Sequence, residues 1–355
     1  MAQVSMRDRH TASPTIGGAA LVALVAVVAF VGAGCGGSSR STGAPSASGT
    51  STSTPSSRPA RHDTVAAGTA PSTTVPAVAC ARPHPAGQTS ESFTFGGEAR
   101  TYQLYVPRKY TGTKTVPVVF DFHGFGSNAV QQMVYGNYMP EADRDNFLIV
   151  APDGQVPDNR HFNLTSEKGL QNDVQMVGAL LDHIEATFCV DTTRVYATGM
   201  SDGGAMTSVL ACTMSDRFAA FGAVAVIIAC GGSRSVPIMA FSGTADPVVP
   251  FNGGKVSCCG GASLGSAPDA MARWAAHDHC AQAYTEVRLG TEVRRRSWTG
   301  CDPGSAAVFY IIDGGGHTWP GSIHVDRLGK TTDQVDASAT IWRFFQAHRL
   351  GAGRA

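Results

Sequence analysis

Arg194-Val195-Tyr196-Ala197-Thr198-Gly199-Met200-Ser201-Asp202-Gly203-Gly204 is the stretch that decides the fold. A short apolar run leads into Gly-x-Ser-x-Gly, and small residues follow, which is typical of a strand, a sharp turn carrying a serine, and a helix. Glycines around the turn have no Cβ atom, so the helix can pass close to the strand. The stretch therefore predicts that Ser201 lies at the end of a strand in an α/β sheet, placed to act as a nucleophile.

A second match to the same pattern surrounds Ser263, at residues 261–265. It follows Cys258-Cys259-Gly260 rather than a β-branched run, and Pro268 comes soon after. This context predicts a loop serine. Since the pattern alone does not separate the two serines, the assignment of Ser201 depends on partners elsewhere in the chain.

The charge balance of the 355-residue chain excludes one class of partner. It has 27 basic and 27 acidic residues, and only 15% of its residues are charged. Nucleic-acid binding needs a basic surface, and nothing in this balance favours one. We expect no nucleic-acid partner. The length would allow two domains, but α/β folds often reach it as one.

The amino-terminal 34 residues predict an export signal. Arg7 and Arg9 precede an apolar run, residues 16–31, that is short for a membrane span, and small residues follow. The run ends before Cys35, and the whole resembles a bacterial lipoprotein signal in which that cysteine is lipidated. Gly32 stands where such signals usually carry Leu or Val, so an ordinary cleaved signal and a retained anchor stay open as alternatives.

This interpretation divides the chain into three predicted segments. Residues 1–34 are the signal peptide, and residues 35–79, almost entirely Ser, Thr, Ala, Pro and Gly, predict a disordered tether, because they cannot bury enough apolar surface to fold. Residues 80–355 form the catalytic domain. We expect an extracellular protein, held on the outer face of the cell membrane only through lipidated Cys35.

Eight cysteines remain after Cys35, and an even number in an exported chain predicts disulfides. The adjacent Cys258 and Cys259 could form a vicinal bridge, stay reduced or pair elsewhere. No Cys-x-x-Cys motif is present, which disfavours a zinc site, and we predict no metal. The favoured pairs are Cys80–Cys189, Cys212–Cys230 and Cys280–Cys301.

Strand and helix patterns alternate along the folded part. A hairpin over 93–98 and 101–106 turns at two glycines, and a second is expected over 286–298, turning at Gly290. Helical periodicity predicts helices over 173–188, 205–212, 270–277 and 337–348. Apolar runs predict strands over 116–122, 147–150, 194–198, 221–229, 236–241 and 306–312. This alternation predicts an α/β fold with a mostly parallel central sheet and helices on both faces. The serine turn between a strand and a helix is typical of the α/β-hydrolase fold within this class.

Chemically capable residues directly follow four of these strands. They are His123 with Gly124, Ser201, Asp246 and His317. The carboxyl ends of parallel strands meet at one edge of the sheet, where ligands bind in such folds. We therefore expect these residues to build one site.

A serine hydroxyl needs an adjacent base, and the base needs an orienting carboxylate. Ser201, Asp246 and His317 occur in the Ser–Asp–His order of α/β-hydrolases, which predicts nucleophile, acid and base in that order. Asp313 is the second choice for the acid, and Asp202 is badly placed for it. The rival histidines fall in predicted helices, helix ends or loops: His183, His277, His279, His324 and His348.

The oxyanion of a tetrahedral intermediate needs preorganised donors. One is expected to be the backbone N–H of Asp202, directly after the nucleophile. The other is expected from the loop after strand 116–122, and we assign it to the Phe125 N–H. His123 is expected to shape this turn and to border the substrate.

From about residue 80 to residue 348, the chain resembles the polyhydroxybutyrate depolymerase and feruloyl-esterase-like α/β-hydrolases. The resemblance implies carboxylic-ester hydrolysis through an acyl-enzyme, without a cofactor, and it implies that Trp319 lines the substrate cleft. The resemblance lies in His123-Gly124, Ala151-Pro152-Asp153-Gly154, residues 194–204, Phe218-Ala219-Ala220, residues 243–250 with Asn252-Gly253-Gly254, and Gly315-Gly316-His317-Thr318-Trp319-Pro320-Gly321.

The chain departs from that family at Ala151, where an aromatic residue is usual, and at Phe251, where Tyr is common. No separate substrate-binding module follows the predicted catalytic domain. We therefore expect a small or oligomeric ester as substrate, rather than a polymer. The alternatives are a serine peptidase or acyltransferase of the same fold, and a non-catalytic surface lipoprotein.

Overall fold

The computed structural model describes residues 80–154, 160–164, 171–229, 231–232 and 234–351. All of them lie in Pro76–Ala355, the second of the two units into which the chain divides. The predicted signal, Cys35 and the tether lie outside the described residues and stay predictions. Among the helices of the described ranges, none is long and apolar enough to cross a membrane.

A ten-stranded sheet forms the centre of the described fold. Its strands are β1 Gly87–Phe95, β2 Glu98–Val106, β3 Val116–Phe122, β4 Leu148–Pro152, β5 Val190–Met200, β6 Ala220–Val224, β7 Pro237–Gly243, β10 Tyr284–Arg288, β11 Val293–Trp298 and β12 Ala306–Ile312; β8 Gly254–Lys255 and β9 Ser263–Leu264 form a separate ribbon. The order across the sheet is β1-β2-β4-β3-β5-β6-β7-β12-β11-β10. The six strands from β4 to β12 in this order are parallel, and two antiparallel strands extend the sheet at each side.

Six α-helices of the described chain cover the two faces of this sheet: α1 Ala129–Gly136, α2 Met139–Asp145, α3 Asp173–Thr187, α4 Asp202–Thr213, α5 Ala267–His277 and α6 Ala337–Gln346. One apolar core contains residues of α3, α4 and α5, and a second contains residues of α1, α2 and α6. All seven residues of β3 are buried, as expected for a strand covered on both faces. The predicted α/β-hydrolase fold is confirmed.

Some element boundaries differ from the predictions. The strand predicted over 221–229 ends at Val224, because Ala225 has a left-handed backbone with φ +66°. Helix α4 begins at Asp202, three residues before its predicted start, so it leaves directly from the serine turn. Helices α1 and α2 were not predicted from the sequence. They are short, and Asn residues with positive φ end both.

Two of the three predicted disulfides, Cys80–Cys189 and Cys280–Cys301, are confirmed. The neighbours Cys258 and Cys259 form a vicinal bridge, which was one of three alternatives. Cys212 is disulfide-bonded, but its predicted partner Cys230 lies outside the described residues, so that pairing stays a prediction. Disulfides in this number are typical of proteins from an oxidising compartment.

Candidate active site

Ser201 lies at a sharp turn between β5 and α4, as the sequence predicts. Its backbone has φ +57° and ψ −116°, a region that residues with a side chain rarely occupy. The turn is held from both sides, because the Ser201 N–H donates to the Val224 carbonyl at 2.8 Å and its carbonyl accepts from the Ala205 N–H at 2.9 Å. Such strain persists only where the surrounding structure imposes it, and it concentrates at functional sites.

Close backbone packing around Ser201 explains its glycine neighbours. A Cβ atom on Gly203 would lie 2.0 Å from the Phe122 carbonyl oxygen, so α4 passes directly over the end of β3. A Cβ atom on Gly124 would lie 3.3 Å from Ser201 Cβ and 3.9 Å from its Oγ. The loop after β3 therefore lies beside the serine.

Asp246 and His317 form a buried pair at the same edge of the sheet. His317 Nδ1 lies 2.7 Å from Asp246 Oδ2, and the side chains are only 5% and 2% exposed. The other oxygen, Asp246 Oδ1, accepts the N–H groups of Val248 and Val249 at 2.7 and 2.8 Å. Because a carboxylate only accepts, the proton of the neutral imidazole lies on Nδ1, and Nε2 can act as a base.

Neighbouring strands bring this pair together. Asp246 follows β7 and His317 follows β12, and Gly243 pairs with Ile312 at the ends of these parallel strands. The His317 N–H donates to the Leu328 carbonyl at 2.7 Å, which anchors the histidine loop. Since β5 lies two strands from β7, all three predicted catalytic residues emerge at the carboxyl edge of the sheet.

Rival acids and nucleophiles have other partners. Asp313 pairs with Arg294 at 2.6 Å, and this guanidinium lowers the pKa of the Asp313 carboxyl below its usual range. Asp202 Oδ2 accepts the Phe162 N–H at 2.7 Å. Ser263 lies in the two-residue strand β9, exposed and paired with Lys255.

The rival histidines also have identifiable contacts. His183 stacks on Phe93, His277 and His279 lie beside Asp278 and Asp302, His324 faces Asp333, and His348 contacts the Phe344 carbonyl.

The loop after β3 presents the predicted second oxyanion donor. Its Gly126 N–H donates to the Arg160 carbonyl at 2.7 Å, and its Ser127 N–H donates to the Gly124 carbonyl at 3.1 Å. The Phe125 N–H has no hydrogen-bond partner within the described chain. The loop therefore leaves one N–H available close to Ser201.

Two predicted substrate contacts, His123 and Trp319, are buried in the structure. His123 is fully buried, with Nδ1 2.8 Å from the Gly124 carbonyl and Nε2 accepting the Gly154 N–H at 2.9 Å. Burial lowers the pKa of His123 to about 4, so the ring is neutral and holds the loop. Trp319 is only 1% exposed, and its indole N–H donates to Ser338 Oγ at 2.9 Å. Both side chains are held by contacts inside the fold, and neither lines the crevice beside Asp246, so their contact with substrate stays a prediction.

A narrow crevice with a cavity volume of about 10 Å³ lies beside Asp246. Its walls are the chain after β6, the end of β7 and the loop leading to α5, and most of its lining is apolar. Ser242 Oγ is buried there without a hydrogen-bond partner in the described structure. In the whole part of the chain that the structure describes, no group of three or more His, Cys, Asp or Glu side chains is arranged to hold a metal.

Comparison with known proteins places this geometry in a family. The family model "Esterase", described as "Putative esterase", matches residues 92–308. "Probable feruloyl esterase C" of Aspergillus flavus is 28% identical over 259 residues, covering 70% of this chain and 84% of that protein. "Feruloyl esterase D" of Neurospora crassa is 26% identical over 267 residues, covering 68% and 85%.

A solved structure supports the same fold. The acetyl xylan esterase from Aspergillus awamori superposes with a TM-score of 0.51 at 17% identity, covering 67% of this chain and 97% of that one. A sheet of this topology with a serine turn and an Asp–His pair at its carboxyl edge defines an α/β-hydrolase. The chain belongs to the esterase family of these hydrolases, and it is a carboxylic ester hydrolase.

Proposed function

We propose that this protein is an exported serine esterase that opens carboxylic esters through an acyl-enzyme on Ser201. The observation that carries the proposal is the buried Asp246–His317 pair, at the sheet edge where the serine turn lies. An imidazole held in one tautomer by a buried carboxylate is the base that a serine nucleophile requires.

The chemistry follows from these positions. Ser201 Oγ attacks the ester carbonyl while His317 Nε2 takes its proton, and the Phe125 and Asp202 N–H groups stabilise the oxyanion. The imidazolium then protonates the leaving alcohol, which departs and leaves the acyl-enzyme. Water then attacks the acyl carbonyl with His317 again as base. The carboxylic acid is released, and the imidazolium returns its proton to Ser201 Oγ.

Ser201 and His317 must approach each other for the first step. Within the described chain, no hydrogen bond joins Ser201 Oγ to His317 Nε2. Such bonds are often long without substrate and tighten in the Michaelis complex.

Relatives named feruloyl esterases make esters of aromatic acids the first substrates to test. The mostly apolar residues that line the narrow crevice beside Asp246 are the candidate contacts of the acyl group, and the crevice must widen to admit it. The resemblance to polyhydroxybutyrate depolymerases makes soluble hydroxybutyrate oligomers a second panel. No cofactor is needed for this chemistry.

The deciding experiment is labelling with a fluorophosphonate probe, which reacts with an activated serine. Wild type and Ser263→Ala should label, and Ser201→Ala should not. Hydrolysis of methyl ferulate, of p-nitrophenyl acetate and butyrate, and of a peptide anilide then separates esterase from peptidase. An unlabelled wild type, or a label lost only in Ser263→Ala, would contradict the proposal.

Export and anchoring are a separate part of the proposal, supported by the signal-like residues 1–34 and by the disulfides. The test is mass spectrometry of the mature protein from the membrane fraction of a bacterial host, with Cys35→Ser as the matched variant. A diacylglycerol-modified Cys35 at the amino terminus is expected. An unmodified amino terminus at another residue would contradict lipidation and would indicate an ordinary cleaved signal.

A further inference from the structure

The side chain of Asp202 has a position that the mechanism above does not use. Its backbone N–H is the expected oxyanion donor, and its carboxylate lies within the same residue. A fixed negative charge close to a developing oxyanion opposes the reaction electrostatically. The carboxylate therefore needs another physical reason for its place directly after the nucleophile.

Its hydrogen bond supplies that reason. Asp202 Oδ2 accepts the backbone N–H of Phe162 at 2.7 Å, across 40 residues of sequence. The bond ties the first residue of α4 to the short segment 160–162, which lies outside every helix and the central sheet. A carboxylate accepting from an N–H forms a charge-assisted bond, stronger than a neutral one.

Segment 160–162 also holds the loop that carries the other donor. The Gly126 N–H donates to the Arg160 carbonyl at 2.7 Å, and the ring of Phe125 stacks on His161 with centroids 5.6 Å apart. The ring of His123 lies 4.6 Å from that of Phe162. One segment of three residues thus contacts both the oxyanion loop and the serine turn.

We propose, resting on the proposed esterase function, that the Asp202 carboxylate is a positioning group that sets the spacing of the two oxyanion donors through segment 160–162. The Phe125 and Asp202 N–H groups lie on separate elements, α4 and the loop after β3. Oxyanion donors must be held within a few tenths of an ångström to be effective. The bond to Phe162 joins Asp202 to the segment that supports that loop.

The test compares Asp202→Ala with Asp202→Asn, because the amide keeps one oxygen that can accept the Phe162 N–H. Asp202→Ala should lower kcat about 10- to 100-fold with little change in KM, since the donors act only on the transition state. Asp202→Asn should recover most of the loss. Affinity for an aryl boronic acid, which forms a tetrahedral adduct with the serine, should fall in parallel with kcat.

Asp269→Ala is the matched control, because Asp269 is also an acid in the first turn of a helix, α5. Asp269→Ala removes the same kind of favourable interaction between an acidic side chain and a helix dipole, and it should leave kcat unchanged. Unchanged kcat in Asp202→Ala would overturn the inference, and so would a lower melting temperature with normal kcat and boronate affinity. Failure of the esterase proposal looks different, because wild type itself would then be inactive and unlabelled.

Discussion

His317 Nδ1 lies 2.7 Å from Asp246 Oδ2, and the opposite oxygen of that carboxylate accepts two backbone N–H groups. Hydrogen bonds therefore hold both oxygens of this carboxylate, and the imidazole takes its orientation from one of them. The three hydrogen bonds satisfy the two oxygens of a carboxylate whose side chain is only 2% exposed.

Replacing Asp246 with Asn should lower kcat by roughly 10³- to 10⁴-fold. The amide can donate to Nδ1, which would move the imidazole proton to Nε2 and remove the base. Steady-state hydrolysis of p-nitrophenyl butyrate measures this effect. Asp313→Asn is the control, because Asp313 pairs with Arg294 instead. A large loss in the control, with normal activity in Asp246→Asn, would reverse the assignment of the acid.

Gly203→Ala should prevent folding or destabilise the protein severely, because the new Cβ would lie 2.0 Å from the Phe122 carbonyl oxygen. The matched control is Gly265→Ala, the last glycine of the second Gly-x-Ser-x-Gly pattern, where a Cβ would meet nothing within 4 Å. Soluble yield and melting temperature compare the two variants. Equal stability would mean that α4 does not pass this close to β3.

Acid should destabilise the native protein through His123. Its pKa is about 4 when folded and about 6.5 when unfolded, so only the unfolded chain binds a proton between these values. The free energy of unfolding should therefore fall as pH drops from 6.5 towards 4, by about 3 kcal/mol from this group. Urea unfolding at several pH values measures the slope.

His123→Asn should be less stable at neutral pH, but its free energy of unfolding should depend less steeply on pH between 6.5 and 4. His324→Asn, which removes an exposed histidine, is the control and should keep it. An unaltered slope in His123→Asn would show that other groups cause the acid sensitivity.

The two predicted and observed disulfides should differ in what they contribute to stability. Cys80–Cys189 closes a loop with a sequence separation of 109, and Cys280–Cys301 one of 21. Loop-closure entropy gives about 5 kcal/mol for the longer loop and about 3 kcal/mol for the shorter one. Paired Cys→Ser variants should lower the free energy of unfolding in that order, measured in guanidinium chloride. The reverse order would mean that enthalpic effects dominate.

Much of the site was predictable because strands and catalytic residues leave local signals. A buried apolar run followed by Gly-x-Ser-x-Gly predicted the turn at Ser201, and polar residues after two later strands predicted Asp246 and His317. The missed parts have no local signal. Segment 160–162 carries no motif, and its role comes from contacts with Gly126 and Asp202 that are distant in sequence.

The burial of His123 and Trp319, both predicted to contact the substrate, could not be read from the sequence. Trp319 belongs to the stretch that most resembles the family, and its neighbour His317 is catalytic in our proposal. The backbone after His317 turns so that the indole packs edge-to-face on Tyr138, with ring centroids 6.1 Å apart. A motif specifies which residues are present, but the direction in which each side chain points depends on the elements packed around it.

The sequence by itself determined the class of fold, the serine turn and the order of the candidate catalytic residues, because these depend on local periodicity, glycine placement and chain order. Only the tertiary structure decided which acid pairs with His317, that His123 and Trp319 are buried, and that Asp202 is tied to Phe162. Each of these depends on hydrogen bonds and packing between residues far apart in the chain. Such contacts exist only once the sheet and its covering helices have formed.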